Sequence, residues 1–193
     1  MRKLTLFLAL TLGLAACSDD PASPEEQDNT PKFDTTVAYP LKVGNSWTIE
    51  TRDLINKIVQ IDTHVIRLDR DTLIDGVHYF VIAGRDPTVL RNDSLGTWAR
   101  NYLGMEWLQA PYRAELGDTV PRSHWEHAFV RAIDTPITVR AGSFNCVLVR
   151  TDYLSSTQYQ YFTEGVGEVL TQSFRNADGL ETNRRELLTY VVK

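Results

Sequence analysis

The stretch DTLIDGVHYFVI, at Asp71–Ile82, has the sequence pattern of a β-hairpin. The pair Asp75-Gly76 readily adopts the positive φ angles of a tight type I′ turn. On both sides of this pair lie branched and aromatic residues of the kind that strands favour. The stretch therefore predicts one strand at Asp71–Ile74 and a second, antiparallel strand at Val77–Ile82.

The same alternation of apolar and polar residues continues along the chain. Trp47–Thr51 and Val59–Val65 alternate with a period of two, which indicates strands and not amphipathic helices. Asn92–Gly96 predicts a longer hairpin loop, and Pro111 argues against a helix at Met105–Leu116. Many short strands with frequent turn residues predict an all-β fold. We expect an antiparallel, strongly curved sheet, as a half-barrel, a closed barrel or a sandwich, with little helix outside the N-terminal segment.

Two further strands indicate how the sheet is covered. Phe144–Val149 is apolar on both faces, which predicts a strand that is covered on both sides. Thr157–Thr163 instead alternates tyrosine with glutamine, which predicts one solvated face. Cys146 lies between apolar neighbours, and we expect it to be a buried side chain and not a reactive thiol.

The start of the chain has the layout of a bacterial export signal. Two basic residues precede an apolar run at Leu4–Leu14, which is shorter than the roughly 20 residues that a membrane-spanning helix needs. The motif LAAC at Leu14–Cys17 then resembles the lipobox of bacterial lipoproteins. This resemblance implies cleavage between Ala16 and Cys17 and attachment of a diacylglyceryl group to the Cys17 sulfur. The alternative is a conventional signal peptide with an incidental cysteine.

Lipidation of Cys17 would place the rest of the chain on a tether. Two acyl chains, such as palmitate, anchor a protein stably, whereas a single chain binds a membrane only marginally. The next segment, Ser18–Thr36, holds three prolines and six acidic residues and cannot form a packed core. We expect a signal peptide at 1–16, a lipidated and disordered acidic tether at 17–36, and one β-rich domain at 37–193. Bacterial lipoproteins that are retained in the inner membrane commonly carry aspartate directly after the lipidated cysteine, whereas this chain carries Ser18. This favours the outer membrane, and the sequence does not indicate which face of that membrane the domain occupies.

The charge of the chain gives no case for nucleic acid. The chain carries 25 acidic and 20 basic residues, a formal net charge of -5. Six of the acids lie in the tether and two of the bases precede the cleavage site, so the domain itself is nearly balanced. Proteins that bind nucleic acid carry a basic patch or stripe instead. We expect the partners to be a membrane, through the anchor, and either an apolar ligand or an envelope protein.

The sequence His124-Trp125-Glu126-His127 offers a weak metal site. Residues three apart on a strand lie on opposite faces, whereas the metalloprotease pattern needs two histidines four apart on a helix. The favoured interpretation is an ordinary strand, with Trp125 and Phe129 facing the core. We therefore treat His124, Glu126 and His127 as weak candidate ligands and expect no metal.

Other patterns that resemble catalytic or binding motifs are incomplete. Asp69, Asp71 and Asp75 lack the glycine and the final acid of a calcium-binding EF-hand loop. Gly165-Val166-Gly167 lacks the third glycine of a dinucleotide-binding loop and predicts a turn. The sequence contains no Gly-x-Ser-x-Gly nucleophile elbow. We expect no cofactor and no enzymatic activity.

Short motifs follow one another along the domain. YPLKVGNSWTIE (39–50) carries Gly-x-x-Trp, ITVRAGSFNCVLV (137–149) carries Ala-Gly-x-Phe, and YFTEGVGEVLTQ (161–172) carries Gly-Val-Gly. With LIDGVHYFVI and ELGDTV between them, they resemble a group of uncharacterised bacterial secreted proteins and lipoproteins. The resemblance implies an all-β body, similar to the curved half-barrels of periplasmic lipoprotein carriers. It implies no known activity.

The aromatic residues leave the role of the domain open. They are numerous enough to line an apolar cavity, but any β core uses them too, and we favour the core. They include Trp47, Trp98, Trp107 and Trp125, with Tyr79, Tyr102, Tyr112, Tyr153, Tyr159 and Tyr161.

Three roles are compatible with the sequence. The first is a membrane-tethered module that binds a lipid or another apolar ligand, and the second is a structural or interaction lipoprotein with a solid core. The third is an envelope hydrolase, in which His124, His127 or His78 would meet a nucleophile or a metal. We expect a non-enzymatic envelope lipoprotein, with ligand binding slightly ahead of a purely structural role.

Overall fold

A computed structural model describes residues 39–83, 88–112, 114–121 and 127–193, without the side chains of 65–71 and 127. The predicted signal peptide, the lipobox at Cys17 and the tether at 17–36 lie outside these residues. So do His124, Trp125 and Glu126 of the weak metal candidate. All the strands and apolar clusters given below lie after residue 38, so this part of the chain contains its own core.

The described residues form twelve β-strands and contain no helix. The strands are β1 (Ser46–Asp53), β2 (Ile58–Ile74), β3 (Val77–Ala83), β4 (Val89–Asn92), β5 (Gly96–Arg100), β6 (Glu106–Pro111), β7 (Thr119–Val120), β8 (His127–Val139), β9 (Gly142–Asp152), β10 (Ser156–Thr163), β11 (Gly167–Arg175) and β12 (Glu181–Val191). The prediction of an all-β chain is confirmed.

All twelve described strands belong to one antiparallel sheet with the order β6-β5-β4-β3-β2-β1-β12-β11-β10-β9-β8-β7. Two meanders, β1 to β6 and β7 to β12, extend in opposite directions from the middle of the sheet. The first and last strands join them, with Ser46 opposite Val191 and Asp53 opposite Asn183. The most distant parts of the domain sequence are therefore neighbours at the centre of the sheet.

The prediction of a strongly curved half-barrel or a closed barrel is wrong, because the sheet is neither closed nor strongly curled. The two edge strands, β6 and β7, do not pair with each other. β7 has two residues, and both pair with β8. A backbone hydrogen bond from the Leu108 N–H to the Pro121 carbonyl, 3.1 Å long, links the two edges instead.

The hairpin at Asp71–Ile82 forms as the sequence predicts. Asp75 and Gly76 have φ angles of 52° and 79° and connect β2 to β3. The loop around Asn92–Gly96 also forms, between β4 and β5. β2 is longer than expected, because it runs without a break from Ile58 to Ile74 and joins two predicted strands.

The apolar core consists of three clusters on the described strands. The largest joins Leu108 and Ala110 of β6 to residues of β7–β10, so strands at opposite ends of the sheet order share a core. The second surrounds Trp47, and the third lies on β3–β5 around Leu90. Phe144–Val149 is covered on both sides only in part, since Cys146 and its neighbour Val147 are both buried but Asn145 is exposed.

The cluster around Trp47 brings together the three quoted motifs. The Trp47 indole N–H donates a hydrogen bond of 2.6 Å to the Val166 carbonyl, in the turn that carries Gly-Val-Gly. The Tyr39 ring meets the Trp47 ring edge-on, with centroids 5.9 Å apart. Phe144, from the Ala-Gly-x-Phe hairpin, packs against the same cluster. These short motifs are therefore packing motifs.

Gly167 allows this close packing because it has no side chain. Its φ is +96°, and a Cβ there would lie 2.5 Å from the Tyr39 ring. Gly165, two residues earlier, also has a positive φ of +69° but has open space around it. Substituting each glycine by alanine therefore distinguishes two costs. At Gly165 the cost comes from backbone conformation alone, whereas at Gly167 a steric clash with the Tyr39 ring is added.

We expect Gly167→Ala to lower the free energy of unfolding by roughly 2–4 kcal/mol, because strained backbone and overpacking add together. Gly165→Ala should cost only about 1–2 kcal/mol, from the left-handed conformation alone. Urea unfolding followed by tryptophan fluorescence measures both. In a Tyr39→Leu background the difference between the two variants should shrink, and equal losses in the parent protein would contradict the packing role of Gly167.

Candidate functional site

A buried carboxylate is paired with a partly buried arginine inside the sheet, where β11 meets β12. Glu168 is 4% exposed, and its Oε1 lies 3.1 Å from Nη1 of Arg185. The register between β10 and β11 shifts between Tyr161 and Phe162, which sets Glu168 opposite Phe162. Such an irregularity inserts an extra residue into one strand and redirects the side chains that follow. It lets a carboxylate reach the inner face of the sheet.

Gln109 connects this pair to a distant strand. Its Nε2 donates a 3.3 Å hydrogen bond to Oε2 of Glu168, and its Oε1 accepts a 2.9 Å hydrogen bond from the Trp107 indole. β6 and β11 are far apart in the sheet order, so the polar chain crosses the interior between the two meanders. A buried charge is tolerated only when it is paired and hydrogen-bonded, and both conditions hold at Glu168.

The polar cluster borders a small cavity of about 20 Å³. This volume is enough for one water molecule, which needs about 10–15 Å³, whereas ligand pockets measure about 300–1,000 Å³. The interior at this point is therefore filled. The cavity is lined by Tyr39, Trp47, Ile49, His64, Ile82, Leu90, Gln109, Glu168 and Arg185.

The other candidate residues do not gather at this cavity. His64 lines it and is 8% exposed, but His78 is exposed on β3. His127 begins β8, and nothing is described of its side chain or of His124 and Glu126. Within residues 39–83, 88–112, 114–121 and 127–193, no three His, Cys, Asp or Glu side chains are grouped as metal ligands.

A second buried carboxylate holds the outer face together. Glu50 is 5% exposed and accepts hydrogen bonds of 3.1 and 3.4 Å from Arg140, and Arg52 contacts it as well. The Arg140 backbone N–H also donates to Glu186, at 3.1 Å. These contacts fasten the β8–β9 turn to the central strands β1 and β12. Their role is structural.

Sequence reasoning missed the buried cluster, because its members come from three different strands. The useful signal was Glu168 itself, a charged residue inside the apolar stretch Val166–Leu170. Acidic residues are almost never fully buried unless they are paired. The sequence did not reveal that the partners would be Arg185 and Gln109.

Exposed apolar side chains gather at three adjacent turns. The Leu54 N–H donates to the Thr182 carbonyl at 3.0 Å, and the Asn176 N–H donates to the Ser155 carbonyl at 3.0 Å. These bonds place the β1–β2, β11–β12 and β9–β10 turns side by side. We call the exposed apolar residues of these turns the apolar turn end. It consists of Leu54, Ile55, Ile58, Val59, Leu154 and Leu180, and Leu154 is fully exposed at 103%.

Acidic residues at the apolar turn end are engaged within their own turns. The Asp53 carboxylate accepts hydrogen bonds from the backbone N–H groups of Asn56 and Ile55, and the bond to Asn56 is the largest effect that lowers its pKa. Arg175 lies beside Asp178 and lowers the pKa of that carboxyl to about 2. The turns are thereby held in shape while their apolar side chains face solvent.

Two solved structures match this chain. One is a protein from Bacteroides fragilis described as exported and as having a YmcC-like fold, at 12% identity and a TM-score of 0.51 over 79% of this chain and 97% of the other. The two proteins share a fold. The second, from Parabacteroides distasonis and described as a lipoprotein, has 13% identity and a TM-score of 0.44 over 82% of this chain and 100% of the other.

The likeness supports a β-rich body of the kind that the quoted motifs imply, and it concerns the fold alone. No protein-family model matches the chain, and no curated protein is significantly similar to it. Among the described residues, no helix has the length and apolar character needed to cross a bilayer. The lipobox and the outer-membrane address stay predictions.

We expect Arg185→Met to lower the free energy of unfolding by about 3–5 kcal/mol, because it leaves the Glu168 carboxylate buried without its cation. Adding Glu168→Gln should recover part of this loss, since the remaining amide carries no charge. Arg184→Met is the matched control, because Arg184 forms only a partly exposed pair with Glu181 and should cost less than about 1 kcal/mol. Chemical unfolding of the parent, Arg185→Met, Glu168→Gln, the double variant and Arg184→Met measures these effects, and additive losses in the double variant would contradict the coupling.

Proposed function

We propose that the chain is an exported lipoprotein of the bacterial envelope, anchored in the outer membrane by acyl chains on Cys17. Its β-rich domain is a non-enzymatic interaction module with a solid interior. The protease experiment described below determines which face of the membrane the domain occupies. The proposal departs from the carrier role that the sequence slightly favours.

The sequence supports the anchor. The apolar run at Leu4–Leu14 and the motif at Leu14–Cys17 match the order of an export signal and a lipobox. The acidic, proline-containing segment at Ser18–Thr36 suits a tether between a membrane and a folded domain. The fold shared with a protein described as exported agrees with export of this chain.

The buried cluster at Glu168 is the observation that favours an interaction module over a carrier. A carrier of apolar ligands needs an interior that is hollow and apolar. Here, charged and amide side chains meet across the interior and leave about 20 Å³ between them. An acyl chain in that space would separate Glu168 from Arg185 and Gln109. The buried Glu168 carboxylate would then lack its partners, which costs several kcal/mol.

The same cluster argues against a hydrolase centred there. The two carboxylate oxygens of Glu168 are engaged by Arg185 and by Gln109. A carboxylate held by a guanidinium is stabilised in its charged form and makes a poor proton acceptor. The cluster therefore suits a structural role, in which it fixes the position of β6 relative to β11 and β12.

We expect a radiolabelled or clickable palmitate analogue to mark the mature protein in bacterial cells, because Cys17 is the acylated residue. Cys17→Ser should abolish the label and move the protein from the detergent phase to the aqueous phase. Cys146→Ser should leave the label unchanged, since the thiol of Cys146 is buried and its pKa is raised to about 12. A label that persists in Cys17→Ser would contradict the anchor. Protease added to intact cells then reports the face, because an outward-facing domain is released and a periplasmic one is spared.

Native mass spectrometry tests the solid interior. The chain from residue 17 with Cys17→Ser, purified without detergent and incubated with lipids extracted from the envelope fraction, should give the mass of the bare polypeptide. A stoichiometric lipid-sized adduct would contradict the interaction module and favour the carrier. Adducts on the unfolded chain, in denaturing solvent, control for covalent modification.

A further inference from the structure

We propose that the apolar turn end is a lipid-contacting surface, which inserts its exposed side chains into the headgroup region of a membrane. This inference rests on the proposed function only in that the anchor brings the domain to a membrane. The turn end would then give the domain a second, weaker attachment besides the acyl chains.

The shape of this surface fits lipid better than it fits a folded partner. Its apolar residues stand at the tips of separate turns, and Leu154 makes the extreme projection, with its whole side chain exposed. A stable protein interface needs a continuous surface of about 800 Å² on each partner. Separate projecting side chains can each enter a fluid headgroup layer without a matching cavity.

The charges of the apolar turn end nearly cancel, and Lys57 is the cation that lies among its apolar residues. Asp53 and Asp178 are held by hydrogen bonds and an ion pair inside their turns. Lys57 is exposed in the β1–β2 turn, between the apolar residues Ile55 and Ile58. A cation flanked by apolar side chains is attracted to anionic headgroups while its neighbours enter the apolar layer.

The chain before the domain is long enough for both attachments. The 22 residues from 17 to 38 span at most roughly 75 Å when fully extended. They join the domain at Tyr39, which packs on Gly167 at the opposite end of β11 from the apolar turn end. An eleven-residue strand such as β12 is about 37 Å long. An anchor at Cys17 can therefore share a membrane with the apolar turn end.

The test uses unlipidated protein, so that the anchor does not mask the turns. The chain from residue 17 with Cys17→Ser should sediment with vesicles of phosphatidylethanolamine and phosphatidylglycerol, more weakly with phosphatidylcholine alone, and less at high salt. The triple variant Leu54→Ser/Ile55→Ser/Leu154→Ser should bind the anionic vesicles at least about tenfold more weakly. Leu73→Ser/Leu95→Ser changes exposed residues in turns at the other end of the sheet and should bind as the parent does.

A fluorescent probe shows which end meets the lipid. An environment-sensitive dye on Leu154→Cys should shift its emission to shorter wavelength when anionic vesicles are added, whereas the same dye on Leu95→Cys should not shift. Both proteins retain Cys146, which is buried. Circular dichroism confirms that each variant is folded.

Three results would overturn the proposal. They are no binding of the parent protein to vesicles, equal losses in the triple and the control variants, and self-association that depends on Leu54, Ile55 and Leu154 without vesicle binding. The last result would make the turn end a contact between two copies of the chain. Failure of the anchor gives a different outcome, because Cys17 would then carry no label while vesicle binding persisted.

Discussion

The hydrogen bond from the Trp47 indole to the Val166 carbonyl is the contact on which the centre of the domain depends. It ties β1, at the start of one meander, to the β10–β11 turn of the other. Tyr39 covers the same site, and Gly167 leaves room for its ring. Because the β1–β12 pairing is the strand ladder that joins the two meanders, a loss of packing here would loosen both halves of the sheet.

The polar cluster in the interior of the sheet contributes more to the specificity of strand packing than to stability. Burial removes the Glu168 charge from water and part of the Arg185 side chain with it, and an apolar pair of the same size would often be at least as stable. Only one arrangement of β6, β11 and β12 lets Gln109 and Arg185 reach the carboxylate together. An alternative register would leave a charge buried without a partner. The cluster thus opposes slippage of the strands, a hazard of every sheet with a repeating pattern of two.

Local features such as turns could be predicted from the sequence, whereas contacts between residues far apart in the chain could not. The Asp75-Gly76 turn was predictable because two adjacent residues determine it. The turn after β1 carries neither glycine nor proline and depends on the Asp53 side chain, so it had no sequence signature. The edge at β7 is only two residues long, and no period-two pattern reveals that the sheet will fail to close there. The buried cluster needs the register shift near Phe162, which alternation cannot foresee.

The pairing of β1 with β12 has a consequence for how the chain reaches its final state. Lys193 closes this pairing, because its backbone N–H donates to the Asn45 side chain at 3.1 Å across almost the whole domain. The sheet cannot be completed until β12 is present, so the contact order is high and folding is slow. A chain that crosses a translocation channel must stay unfolded while it passes. If the chain is exported as we propose, the pairing of β1 with β12 postpones formation of the sheet until β12 has crossed.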